Sequence, residues 1–346
     1  MSLERTIGAV ALVSALLTTA VHAQTPCGRD ADCRRLSERC ERREAGACND
    51  LGILFQEGRG VTRDAARAAD LYGRACEGGS AAACFNIGQL YAEGTGVAAD
   101  GARAAEYFDR SCRGGDREGC RRAGVSYEEG RGVGRDEARA AELYRRGCGA
   151  GDGPSCTRLG MLQEQGRGVP VSLARAAQLY EQGCESGTSP AGCFDLALLY
   201  ELGRGVTQDY ARALRLYQRG ADGGDVESFA RLGRLYQEGR GVPVDFARAR
   251  QLYEQGCTGN DGAACTRLGI LCEEGRGGPV DVVRAAQLYR AGCDHGSAAG
   301  CFDLALFHEN GRGVPRDAAT ALRLYRQSCE GGDQEGCQRA ALLGRR

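Results

Sequence analysis

The sequence predicts an all-α solenoid of about eight to nine stacked helical hairpins, and three observations predict it. A cysteine recurs every 36 residues, at Cys40, Cys76, Cys112, Cys148 and Cys184, and the rhythm resumes at Cys257, Cys293 and Cys329. Each has a partner eight residues on (Cys48, Cys84, Cys120, Cys156, Cys265, Cys301, Cys337), or nine on for Cys184 with Cys193. A Gly-x-Gly turn, as in Gly58-Arg59-Gly60-Val61, occurs eight times. A unit of this length is one helix–turn–helix that cannot bury its apolar face alone and therefore stacks.

The chain opens on an expected export signal. Arg5 precedes an apolar stretch from Ile7 to Ala20, and Val21-His22-Ala23 offers small residues for cleavage. The stretch is short for a span of about 20 residues, so cleavage after Ala23 is preferred to an anchor. The expected organisation is a signal peptide at 1–23, an N-terminal capping segment at 24–46 and a repeat solenoid at 47–346. No second long apolar run follows, so no stable membrane insertion is expected. Paired cysteines belong to an oxidising compartment, here periplasmic or secreted.

Within a repeat, one helix starts after Asp64, Asp100, Asp136, Ser172, Asp209, Asp245, Asp281 or Asp317, side chains that accept the free N–H groups of a first turn. Four residues on stands Ala (Ala68 to Ala321), and four further on Tyr, or Phe108 once. Residues four apart share a helix face, and small beside aromatic lets helices interlock. The other helix begins near the second cysteine. In CFNIGQLYAEG, Ile87, Gly88 and Tyr91 share a face with Cys84. The first Gly of each turn fits a left-handed cap and the second a sharp reversal. A phosphate loop is excluded because no strand precedes it and no Lys is present.

Eight residues of continuous helix would separate a cysteine pair by about 12 Å, whereas a disulfide needs Cα atoms within about 7 Å. The chain must therefore reverse between them, and Gly-rich segments such as EGGSAAA agree. One unit tests the pairing: Ala221 and Phe229 replace both cysteines together. Cys27 and Cys33 remain as a candidate pair tying down the N-terminal segment. Cys272 replaces the Tyr of Tyr91, Tyr127, Tyr200 and Tyr236 and is expected to be a buried free thiol; a reactive or intermolecular role is the alternative. Zinc is not expected, because no close Cys-x-x-Cys exists. A longer period overlies the short one: Cys156-Thr-Arg-Leu-Gly returns at Cys265, 109 residues on, so surface chemistry should recur by three-repeat blocks.

These turns, capping Asp residues and A-x-x-L-Y helices resemble the Sel-one-like repeat family, relatives of tetratricopeptide repeats, over about residues 30 to 344. The cysteine pair in each unit narrows the resemblance to the Helicobacter cysteine-rich protein type. The resemblance implies a right-handed α/α superhelix with one bridge per repeat, secretion, and adaptor roles. It also implies penicillin binding or weak β-lactamase activity.

The residues give that chemistry little support. All 45 basic residues are Arg, so the Ser-x-x-Lys and Lys-Thr-Gly elements of serine β-lactamases cannot exist. Beyond the signal only His295 and His308 remain; His308 sits at an aromatic core position and His295 in a turn. Neither a metal nor a cofactor is expected. Glu128-Glu129 reads as a solvated helix end. A net charge of −1 gives no pull toward nucleic acid.

A binding surface is better supported. The face opposite the core varies between units at the first, second and fifth positions after the second cysteine. The first carries Phe85, Phe194 and Phe302, once per block; the second reads Asn86, Arg122, Arg158, Asp195, Arg231, Arg267 and Asp303 in successive units. By analogy with other solenoids this face would line the concave groove. There it would hold a protein, a peptide or a cell-envelope component such as peptidoglycan, with a β-lactam the ligand implied by the resemblance. The alternative is that the Phe residues are additional inter-repeat core. A purely structural spacer is a third reading.

Overall fold

A computed structural model describes residues 27, 28 and 30–345. The expected signal at 1–23 lies outside the described residues. The described chain is eighteen helices with no strand. They run α1 (Ala31–Glu41), α2 (Ala45–Glu57), α3 (Ala65–Glu77), α4 (Ala81–Glu93), α5 (Gly101–Arg113), α6 (Arg117–Glu129), α7 (Glu137–Gly149), α8 (Gly153–Gln165) and α9 (Leu173–Glu185). They continue as α10 (Pro190–Leu202), α11 (Tyr210–Asp222), α12 (Val226–Glu238), α13 (Phe246–Thr258), α14 (Gly262–Glu274), α15 (Val282–Asp294), α16 (Ala298–Asn310), α17 (Ala318–Glu330) and α18 (Gln334–Leu343). Contacts join each helix mainly to its chain neighbours, and even-numbered helices also touch one another across a unit, which makes the array a solenoid.

Local chemistry sets each boundary. The Asp64 carboxylate accepts from Arg67 N at 2.9 Å, and Asp136, Asp209, Asp245 and Asp281 repeat that cap. At the other end Gly58 takes φ 74° with its N–H on Leu54 O, a left-handed cap. The second glycine does more than permit a reversal. A Cβ on Gly96 would collide with the Ala65 carbonyl, so each turn packs against the start of the odd-numbered helix one unit earlier.

The buried stripe follows the repeat. Ala68, Tyr72, Ala75 and Cys76 of α3 face Cys84, Ile87 and Leu90 of α4. Gly sits beneath the aromatic ring because a Cβ at Gly160 would meet the Tyr180 ring at 2.6 Å. The buried face of the even-numbered helices holds the expected Cys84, Ile87 and Gly88 and extends to Leu90. Leu90 lies deeper than Tyr91, which is half-buried and stacked on Tyr107 at 5.7 Å. The same position is buried where it holds Cys272 or His308, so the face is the expected one widened by a leucine.

Eight bridges join each cysteine to its partner eight or nine residues on, with Cα separations of 4.3–4.6 Å. Cys27 and Cys33 form a ninth. Cys272 is a buried free thiol that accepts from Arg250 Nη2 at 3.2 Å, and burial pushes its pKa up.

Candidate functional site

The aromatic of each odd-numbered helix does more than fill the core. Tyr144 donates its hydroxyl to Glu128 Oε2 at 2.7 Å, sixteen residues back at the end of the preceding helix. The bond recurs as Tyr180 to Glu164, Tyr217 to Glu201, Tyr289 to Glu273 and Tyr325 to Glu309. Tyr72 and Tyr253 use Gln56 and Gln237 instead. Burial is the main cause that holds these phenols protonated; it pushes Tyr72 and Tyr253 up to about 12 and the others beyond that. The buried hydroxyl needs an acceptor, and the helix end supplies one.

Sequence reasoning missed this ladder, although a signal was present. The one unit with Phe108 in place of Tyr has Ala92 in place of the acceptor. Glu128 is therefore not a solvated helix end: it is largely buried, and besides Tyr144 it takes Arg158 Nη1 at 3.2 Å and Arg167 Nη1 at 3.3 Å. Glu129 does face solvent, paired with Arg131.

The second-position residues form a row beside the ladder. Arg158 pairs with the Glu128 acceptor. Asn86 donates instead to Asn49 at 3.0 Å, and Arg122 pairs within its own helix with Glu118 at 3.2 Å. Arg231 and Arg267 are half-buried, and Arg267 draws down the raised pKa of Tyr253. Arg234 supplies the ion pair to buried Glu201. Asp195 and Asp303 fall on a row that faces glutamates. Burial, then Glu164, Asp225 and Glu227, pushes Asp195 up to about 7; burial, then Glu273 and Asp333, does the same to Asp303.

The three first-position Phe residues are half-buried, each tilted against the aromatic one helix on. Phe85 lies 5.7 Å from Phe108, Phe194 5.6 Å from Tyr217, and Phe302 5.5 Å from Tyr325. They thus join the inter-repeat packing while keeping an exposed edge. His308 is buried with Nδ1 3.2 Å from Pro315 O, and His295 is exposed at the end of α15. Among the described residues no three His, Cys, Asp or Glu side chains gather as a metal site.

Where the ladder lacks its hydroxyl and acceptor, a hollow of about 320 Å³ opens. Ala92, Ala104, Phe108 and Val125 line its floor, and Arg122 and Arg131 stand at its rim. It includes Arg122 of the second-position row.

No curated protein matches the chain. Among solved structures it is similar to c5321, a protective antigen of uropathogenic Escherichia coli displaying an SLR fold. That match is 28% identical over 90% of this chain and 67% of that one, with a TM-score of 0.80. A Sel1 repeat protein from Oxalobacter formigenes is 25% identical over 90% and 89%, with a TM-score of 0.72. Helicobacter pylori cysteine rich protein B is 23% identical over 36% of this chain and 94% of that one, with a TM-score of 0.30. The Sel1 repeat model matches eight times, at residues 45–80, 81–116, 117–152, 153–188, 190–225, 229–261, 262–297 and 298–333. The chain belongs to the Sel1 repeat family.

Proposed function

We propose that this disulfide-stapled scaffold works in an extracytoplasmic, oxidising compartment and binds a protein or peptide along the face bearing Phe85, Phe194 and Phe302. Nine bridges support the compartment, since thiols persist reduced in the cytosol. No described helix is long and apolar enough to cross a membrane.

The observation that carries the reading is the hollow at Phe108. Seven units carry a Tyr–Glu or Tyr–Gln hydrogen bond at the equivalent place, and this unit instead has a hollow lined by Ala92, Ala104, Phe108 and Val125 together with Arg122, Arg131 and Glu93. Interfaces concentrate their energy where a side chain fills such a pocket and a polar rim excludes water. An apolar side chain of the partner would enter between Phe108 and Val125, with flanking contacts to Arg122 and the exposed edge of Phe85.

The double substitution Ala92→Glu and Phe108→Tyr tests this, because it restores the rung that the sister units carry and fills the hollow without disturbing the stack. Partners captured from an envelope extract by the wild-type chain should be lost on the variant, with the thermal midpoint unchanged or raised. Equal capture by both would sink the groove reading.

A further inference from the structure

Two joints of the array differ from the rest in their charge. Twice in the second-position row an Arg meets the Glu of the unit before: Arg158 pairs with Glu128, and Arg339 approaches Glu309 at 3.9 Å. At Asp195 and Asp303 the same place holds a second carboxyl. Asp195 faces Glu164, and Asp303 faces Glu273. Each facing glutamate is already engaged. Glu164 accepts Tyr180 at 2.8 Å and pairs with Arg204 at 3.1 Å; Glu273 accepts Tyr289 at 2.7 Å and pairs with Arg312 at 2.7 Å.

The charged groups that act on each aspartate are all acidic. Glu164 from α8 and Asp225 and Glu227 at the start of α12 act on Asp195, which in turn acts on Tyr180 of α9. Glu273 from α14 and Asp333 at the start of α18 act on Asp303, which in turn acts on Tyr289 of α15. Neither aspartate forms an ion pair among the described residues, and Asp195 Oδ2 is buried without a hydrogen-bond partner. Two ionised carboxyls in a desolvated joint repel, so one of each pair retains a proton into a higher pH range.

We propose that Glu164–Asp195 and Glu273–Asp303 are two proton-operated joints: each pair holds one proton in mildly acidic surroundings, which keeps its neighbouring repeats tightly docked, and releases it to solvent near neutrality, which loosens that joint. The two sites lie one three-repeat block apart, with Tyr180 and Tyr289, and Glu164 and Glu273, each 109 residues apart, so the array carries the device twice.

The direction follows from linkage. An aspartate ordinarily titrates near 3.8, and both are raised to about 7 in the folded chain. Between those values the folded state binds more protons than the unfolded state, so their contribution falls as pH rises through the window and is lost above about 7. Other groups add their own pH dependence, so the readout is the difference between wild type and Asp195→Asn/Asp303→Asn.

At pH 5 the oxidised wild type and this variant should show equal amide exchange across α10 and α16. At pH 8 the wild type should exchange there roughly a hundredfold faster, because each of the two pH units between 5 and about 7 changes the opening equilibrium tenfold. Parallel behaviour of the two chains from pH 5 to 8 would overturn the proposal. Carboxyl carbon NMR of the wild-type chain provides a readout that needs no variant. Two Asp resonances titrating above pH 6 support the joints, and all Asp resonances titrating below pH 5 refute them. Asp195→Arg/Asp303→Arg copies the Arg158 pairing, and it should remove the pH-dependent difference if the Asn variant fails to fold.

Discussion

The joint between α11 and α12 and the joint between α3 and α4 have the same backbone and differ in covalent chemistry. At the first, Ala221 and Phe229 stand where the second has Cys76 and Cys84. Gly224 N donates to Ala221 O at 3.0 Å and Asp225 N to Gly220 O at 2.9 Å; Gly79 N donates to Cys76 O and Ser80 N to Ala75 O, each at 3.0 Å. Asp225 caps α12 through Ser228 N at 2.9 Å, as Ser80 caps α4 through Ala83 N at 3.3 Å. Ala221 is as buried as a bridged cysteine. The glycine turn and the cap therefore shape the joint, whereas the bridge restricts the unfolded chain. A loop this short gives about 2–3 kcal/mol per bridge in the chain-entropy model.

The largest effect should come from removing that difference everywhere. Reduction and alkylation of all nine bridges should lower the thermal midpoint by more than any point substitution, measured by circular dichroism. A midpoint within a few degrees of the oxidised chain would break the comparison. Before reduction, amide exchange should be faster across Tyr210–Glu238 than across the bridged pair Ala65–Glu93, and after reduction the two should converge. A smaller effect runs the other way. Ala221→Cys with Phe229→Cys should add about 2–3 kcal/mol under oxidising conditions and nothing with reductant, read from denaturant unfolding. No gain under oxidation would mean that this joint differs in more than its covalent link. The smallest effect isolates a non-covalent share: Tyr144→Phe should cost about 1–2 kcal/mol by removing the hydrogen bond to Glu128. A loss near zero would show that Arg158 and Arg167 satisfy Glu128 unaided.

The legible portion of this molecule was whatever repeats within one helix or one turn. Capping Asp64, buried Ala68 and Tyr72, left-handed Gly58 and the Cys76–Cys84 pair all follow from spacing along a single hairpin. The illegible portion depends on what stacks against what. The Tyr144 hydroxyl reaches Glu128 across a turn, so periodicity marked both residues but not their bond; only the joint change to Phe108 and Ala92 hinted at it. Asp195 appeared as one charged position among several, because its repulsion from Glu164 exists only once two units are docked in register. The angle of the Phe85 class on one helix leaves both a groove and an inter-repeat core open, and the neighbouring aromatic that half-buries it belongs to the next helix.

The second glycine of each turn, for want of a Cβ, lies directly on the helix start one unit earlier. Gly96 lies on Ala65, Gly132 on Gly101, and Gly168 on Glu137. Every unit therefore brings a plug for the unit before it and a socket for the unit after it. A whole unit, or a run of three, can be gained or lost by duplication or deletion without losing this glycine contact between neighbours. The 109-residue echo between Cys156-Thr-Arg-Leu-Gly and Cys265-Thr-Arg-Leu-Gly has the spacing that a three-unit duplication would produce. Length in this scaffold is thus set by copy number, while the glycine contact between successive units stays the same.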